Sequence, residues 1–207
     1  LLYNYFWIGG LQRDIYPEFK KDCLEVIKAV RRRNEEAKKL FLYNKIFVER
    51  TANIGILPAD VAINFACSGP VLRASGVPFD LRKAQPYLNY DKFDWNVVVG
   101  RGEVGTIGDC WDRAWVRIAE MEESCKIIEQ ALDMMPMEGD VKADIPKRVK
   151  PEVGEFYFSC ENPKGELGFY ITSDGSTKPS RVRCRSCSFV NLSVLPYISK
   201  GYMLGDL

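Results

Sequence analysis

Residues 53–83, NIGILPADVAINFACSGPVLRASGVPFDLRK, place glycines, a Gly-Pro pair and paired arginines within about thirty positions, and the chain is organised around them. The apolar run Ile54–Leu57 stops at Pro58, and ADVAINFA then offers Val61, Ala62 and Phe65 as one face of a short helix. That helix is expected to end near Cys67-Ser68-Gly69. Gly69-Pro70 reads as a turn that delivers Arg73 and Ser75 on a tight loop before Gly76, where a left-handed backbone costs little. Beyond it, Asp80-Leu81-Arg82-Lys83 supplies a carboxylate and two cations, the makings of an internal Asp–Arg clamp. The same residues also suit a polar loop folded on itself.

Upstream, Gly9-Gly10 breaks an aromatic run, and from Pro17 to about Tyr43 apolar residues recur at helical spacing: Phe19, Cys23, Val26, Ile27, Val30, Ala37, Leu40 and Phe41. Arg31-Arg32-Arg33 then falls on the solvated face, and IFVERT links this helix to the central stretch, with Arg50 as its notable charge. Downstream, Tyr87, Tyr90, Phe93 and Trp95 read as a packing layer. The glycines at 100, 102, 105 and 108 are like phosphate loops only superficially, because no GxGxxG or GxxxxGK[ST] match follows a strand here. Residues 109–135 form the clearest helix, with Asp109 as N-cap and Ala114, Ile118, Met121, Cys125, Ile128, Leu132 and Met135 as a seam. Asp112 and Arg113 at its start suit ion pairs toward the neighbouring loops. EFYFSCE, ELGFYITSDG and RVRCRSC then read as three antiparallel strands, with Gly165, Glu166 and Gly168 serving a hairpin turn. SFVNLSVLPYISKGYMLGDL resumes helical spacing. The expected architecture is α+β and mainly helical. Residues 1–138 form a helical part with a central loop region at 53–108, residues 139–188 a small β region, and residues 189–207 the start of a carboxyl-terminal helix.

The balance of 29 basic against 28 acidic residues gives no global field for nucleic acid or an anionic membrane. No apolar run reaches the length of a transmembrane span. Seven cysteines, an odd number scattered through presumed helices and strands, argue for reduced thiols in an intracellular compartment; the chain has no histidine. Cys184-x-x-Cys187 has ligand spacing, but one such pair without histidine does not complete a four-ligand metal site; it reads as two buried or half-buried thiols flanking a strand end.

Taken in order, YNYFWIGGL, IFVERTANIGI, SGPVLRASGVPFDLRK, GDCWDR, VRIAEMEES, IIEQAL, GELGFYITSDGSTKP and FVNLSVLP resemble one family: the large quinone-module subunit, or D subunit, of NADH:quinone oxidoreductase, respiratory complex I. The resemblance implies a relative of the nickel–iron hydrogenase large subunit, combining a helical bundle with a small sheet. It also implies a peripheral-arm subunit that helps form the quinone-reduction cavity, where electrons from NADH arrive through iron–sulfur clusters and drive ion translocation. Quinone is then a substrate at a shared site. The clusters belong to partner subunits, above all the one holding the terminal cluster, and this chain alone binds no cofactor. The expected location is peripheral, on the cytoplasmic face of a bacterial inner membrane or the matrix face of the mitochondrial one. Arg50, Arg73, Ser75, Asp80, Arg82, Asp109, Asp112 and Arg113 are the candidates to line or order the cavity. No catalytic residue is expected here, because the family's GPQHP-type histidine loop and its partnering tyrosine segment have no counterpart. The GEVDR-type end is also missing, and Trp7-Ile8 stands where many relatives have Arg-Pro. The chain thus reads as roughly the second half of the family protein, inactive in isolation. Two alternatives stay open at this point: a membrane-bound nickel–iron hydrogenase large-subunit relative, and a non-catalytic assembly scaffold.

Overall fold

The computed structural model describes residues 5–136, 138–146 and 148–207. Its longest element is α6, Cys110–Met134, which lies against α1, Phe19–Ala37. The two helices meet through Ile27, Cys125 and Leu132. They also meet through Arg31, whose guanidinium donates to Glu122 and Glu129 on α6 at 2.6–3.2 Å. The arginine triplet is therefore not wholly a solvated face: Arg32 and Arg33 are exposed and sit beside Glu36, while Arg31 is half-buried and crosses the helix interface. Helix spacing alone misassigns it because a long side chain at the rim reaches the neighbouring helix. Val26, Leu40, Phe41, Met121 and Ile128 are likewise exposed, contrary to the expected seams, and Trp111, Trp115 and Val116 are buried instead.

α1 runs directly into a π-helical turn, Lys38–Leu42, which lets Leu42 reach the central core of Ala74, Trp111, Trp115 and Val116. Trp111 Nε1 donates to Leu42 O at 2.9 Å, so the indole is both packed and satisfied. IFVERT is no linker but most of α2, Lys45–Thr51, capped by Asn44 Oδ1 accepting from Ile46 N.

In the central stretch α3 spans Ala59–Asn64 with Ala62 buried as the apolar face predicts, but it stops short of the expected end near Cys67, and Phe65, just past it, is exposed. The expected turn at Gly69-Pro70 is instead the first turn of α4, Gly69–Ala74. Proline is compatible with the first positions of a helix, where its missing N–H costs nothing. Arg73 accordingly sits on a helix, not on a loop. A second core of Leu57, Ala62, Cys67, Leu72 and Val194 lies around α3 and α4. Asp80 caps the short α5, Leu81–Ala84, by accepting from Arg82 N at 2.9 Å.

Two sheets complete the fold. β1, Phe6–Trp7, pairs with β2, Gly10–Leu11. β3, Gly154–Asn162, β4, Gly165–Ser173, and β5, Arg181–Arg185, form an antiparallel sheet in the order β3-β4-β5, as the three aromatic, β-branched runs predict. Register pairs Phe158 with Phe169 and Phe169 with Cys184, so Phe156, Phe158, Phe169, Val182 and Cys184 share one face. Cys184 is exposed there, whereas Cys187 is buried at the start of α7, Cys187–Leu192, so the two thiols occupy unlike environments. The carboxyl-terminal segment is not one continuous helix: α7 ends at Leu192, α8 covers only Leu195–Ile198, and a 3-10 turn follows at Leu204–Asp206. The sheet meets the helical part at the β3–β4 turn, where the backbones of Gly69 and Gly165 approach without room for a side chain. Ser68 Oγ there accepts from Glu166 N at 3.0 Å.

Candidate functional site

Arg73 is the centre of the site. Its side chain is 2% exposed, yet it lies among three carboxylates contributed by different elements. Nε donates to Glu120 Oε1 of α6 at 2.6 Å, and Nη1 to Glu161 Oε1 of β3 at 2.8 Å and to Phe79 O at 3.1 Å. Asp80 Oδ2 lies 3.2 Å from Nη1. Arg82 grips Asp80 from the other side, Nε to Oδ1 at 2.9 Å and Nη2 to Oδ2 at 2.7 Å, while its guanidinium stacks 4.4 Å from the Trp95 ring centroid. The Asp80–Arg82 clamp expected from the sequence is present, but it is one side of a five-residue network.

Burial acts to raise the Asp80 pKa, but the Arg82 and Arg73 guanidiniums outweigh it and hold the carboxyl below its ordinary value. At Glu161 burial prevails over the Arg73 contact and the pKa is pushed up. The sign for Asp80 follows from linkage. A carboxyl with a depressed folded-state pKa contributes stability that is complete above its ordinary value of 3.8 and is lost as the pH falls below it. Glu161 acts oppositely, because the folded state takes up its proton first. Asp80→Asn in the full-length protein is therefore expected to flatten the acid limb of the unfolding midpoint against pH. An unchanged acid limb would remove Asp80 from the network's energetics.

A second cluster orders the loop before α6. Asp109 caps the helix, accepting from Asp112 N at 2.8 Å, and also accepts from Asn53 N and Thr106 N. Asp112, fully buried, accepts from Arg101 N, Gly102 N and Gly108 N. Burial pushes its pKa up against the pull of those backbone N–H groups. Arg113 donates to Gly108 O, Gly55 O and Cys110 Sγ at 2.6–2.9 Å. The helix-start ion pairs expected for Asp112 and Arg113 are thus absent among the described residues; both bind backbone instead, because a glycine-rich loop exposes N–H and C=O groups that need partners. The two clusters touch through the main chain, Gly100 N donating to Arg73 O at 2.8 Å.

Arg50 stands apart, exposed and paired with Asp206. Ser75 is buried at the end of α4, its hydroxyl 3.4 Å from Val71 O. Glu120 and Glu161 are not legible as site residues in the sequence because they are 47 and 88 residues from Arg73. The available signal was a carboxylate at the inner end of a predicted strand. Among the described residues no group of three or more His, Cys, Asp or Glu side chains is placed to hold a metal ion, and no helix is long and apolar enough to cross a membrane.

The geometry defines an α+β protein in which buried charges order loops and hold a small sheet to a helical body. Comparison with known proteins then places it. The chain matches the family of the respiratory-chain NADH dehydrogenase 49 kDa subunit over residues 1–153 and 145–207. It is 54% identical over 210 residues to the NADH-quinone oxidoreductase D subunit of Chlorobaculum parvum, covering 100% of this chain and 52% of that protein. It is 50% identical over 214 residues to the NADH-quinone oxidoreductase D 1 subunit of Cytophaga hutchinsonii, covering 100% and 55%. The chain belongs to the 49 kDa subunit family of respiratory-chain NADH dehydrogenase. It spans about half the length of the curated relatives it matches.

Proposed function

We propose that this polypeptide works as part of the D subunit of an NADH:quinone oxidoreductase, helping to form the cavity in which quinone is reduced. The observation that carries the reading is identity of 50–54% along the entire chain to proteins bearing that name. The cavity role is supported by the two buried clusters, which hold the segments around Arg73 and Gly100–Gly108 in one arrangement. Such rigidity is what a substrate-shaping wall requires. In this reading electrons from NADH reach quinone through iron–sulfur clusters in neighbouring subunits, the transfer is coupled to ion translocation by the membrane arm, and this chain contributes shape and subunit contacts. The chief partner is the subunit holding the terminal cluster. The protein sits peripherally, on the cytoplasmic face of a bacterial inner membrane or the matrix face of a mitochondrial one. Arg50, Arg73, Ser75, Asp80, Arg82, Asp109, Asp112 and Arg113 order the wall, and none of them is assigned a proton-transfer role.

Deleting the full-length gene is expected to abolish NADH:quinone reductase activity in membranes and to leave the remaining peripheral-arm subunits unassembled, with both restored by the intact gene. Wild-type activity in membranes of the deletion strain would overturn the proposal.

A further inference from the structure

A cleft of about 500 Å³ opens between α6, α5 and the β3–β4 turn, with Arg73, Arg82, Arg117, Lys164, Glu120 and Glu161 on its walls. Its donors outnumber its acceptors. Arg73 uses Nε and Nη1 on protein acceptors and leaves Nη2 without one among the described residues. Among the described residues the sealed polar side-chain atoms lacking a partner are Asn34 Oδ1 and Trp95 Nε1, and Arg73 lines the cleft although only 2% of its side chain is exposed. Arg82 commits Nε and Nη2 to Asp80 and leaves Nη1 over. Arg117 donates only through Nη1, to Arg113 O at 2.6 Å, and neither it nor Lys164 has a carboxylate within ion-pair distance among the described residues. Both wall carboxylates are engaged by Arg73, and among the described residues the one carboxylate oxygen there with no donor is Glu120 Oε2.

We propose that this cleft binds an oxyanion, a phosphate- or carboxylate-type group held by the free guanidinium edges of Arg117, Arg73 and Arg82 and by the Lys164 ammonium. Guanidinium groups present paired N–H donors that match such oxygens. Against the four cations Arg73, Arg82, Arg117 and Lys164 stand three carboxylates, Asp80, Glu120 and Glu161, so the cleft keeps an excess of one positive charge. Desolvation and the neighbouring Arg113 charge push the Arg117 pKa down against the pull of the Glu120 charge. The oxyanion has two possible sources, a free small anion or an acidic side chain of a neighbouring polypeptide, and the proposal rests on the cleft chemistry alone.

The test uses the full-length protein in its assembled complex. Lysines are acetylated under limiting reagent, at matched pH and ionic strength, in chloride, in inorganic phosphate, or in chloride with a polyglutamate peptide. Acetylation of Lys164 and of Lys21, exposed on the distant α1, is followed by mass spectrometry. Phosphate is expected to slow Lys164 roughly tenfold relative to chloride, the factor carried by about 1.4 kcal/mol of contact, and to leave Lys21 unchanged. Arg117→Gln is expected to remove the protection and to leave the thermal unfolding midpoint of the complex unchanged, which shows the variant folded. Protection by polyglutamate but not phosphate assigns the site to a polypeptide carboxylate. Equal slowing of both lysines, no protection of Lys164 in any arm, or protection that survives Arg117→Gln overturns the proposal, while a Lys164 already protected in chloride and released by Arg117→Gln assigns the site to a carboxylate of a neighbouring subunit.

Discussion

Arg73→Ala is expected to destabilise the full-length protein by about 3–5 kcal/mol, the scale of breaking a buried ion pair from one side. The substitution removes the cation shared by Glu120, Glu161 and Asp80. Asp80 keeps Arg82, but Glu161, whose side chain is 4% exposed, has no other cation within ion-pair distance among the described residues. Most of the loss should therefore arise at Glu161, and Arg73→Ala combined with Glu161→Gln should recover part of it. Arg73→Lys keeps the charge but not the fork that reaches three elements at once, so it should fall between wild type and alanine. Denaturant midpoints of the four proteins check this. A loss below about 1 kcal/mol for Arg73→Ala, the level of exposed pairs, would mean that the network is energetically idle. In the assembled enzyme the same alanine variant is expected to lower quinone reductase activity. Unchanged activity and quinone affinity in normally assembled enzyme would leave Arg73 a purely structural role.

The second large effect is expected at the junction between sheet and helices. Gly69 has φ +67°, a conformation that side chains rarely adopt, and an added Cβ would overlap the backbone of Gly165, itself at φ +125°. Backbone atoms cannot rotate away as a flexible side chain would. Gly69→Ala therefore combines left-handed strain of about 1–3 kcal/mol with overpacking of about 1–3 kcal/mol. The expected result is undocking of the β3–β4 turn, visible as faster amide exchange at Glu166 and Leu167, because Ser68 no longer receives the Glu166 N–H. Gly201→Ala is the control, since at φ +83° it carries left-handed strain but an added Cβ meets nothing within 4 Å. Equal exchange in the two variants would show that the close approach is dispensable.

Much of the fold was legible from local pattern. The extent of α6, its Asp109 cap and the three aromatic strand runs follow from side-chain spacing and capping chemistry, which act over a few residues, although the seam read for α6 includes Met121 and Ile128, which are exposed. Asp80 and Arg82 were also legible as a clamp, being two residues apart. The misreadings share a cause. Gly69-Pro70 is as compatible with a helix start as with a turn, and what selects the helix is the burial of Leu72, Arg73 and Ala74 against α6 and the sheet. Asp112 and Arg113 are legible as reaching toward the neighbouring loops, but not in what they meet there: the loop at 100–108 folds back over the helix start and offers main-chain partners to both in place of ion pairs.

What the sequence determined by itself was the α+β composition, the order of elements and, through its ordered motifs, the family. What only the tertiary structure decided was the company of each charge. Whether Arg73 is a solvated cation or the buried centre of three carboxylates depends on Glu120 and Glu161 arriving from 47 and 88 residues away. That arrival is set by the packing of α4 on α6 and of the β3–β4 turn on Gly69, because electrostatic partners are chosen by distance in space and no local pattern encodes it.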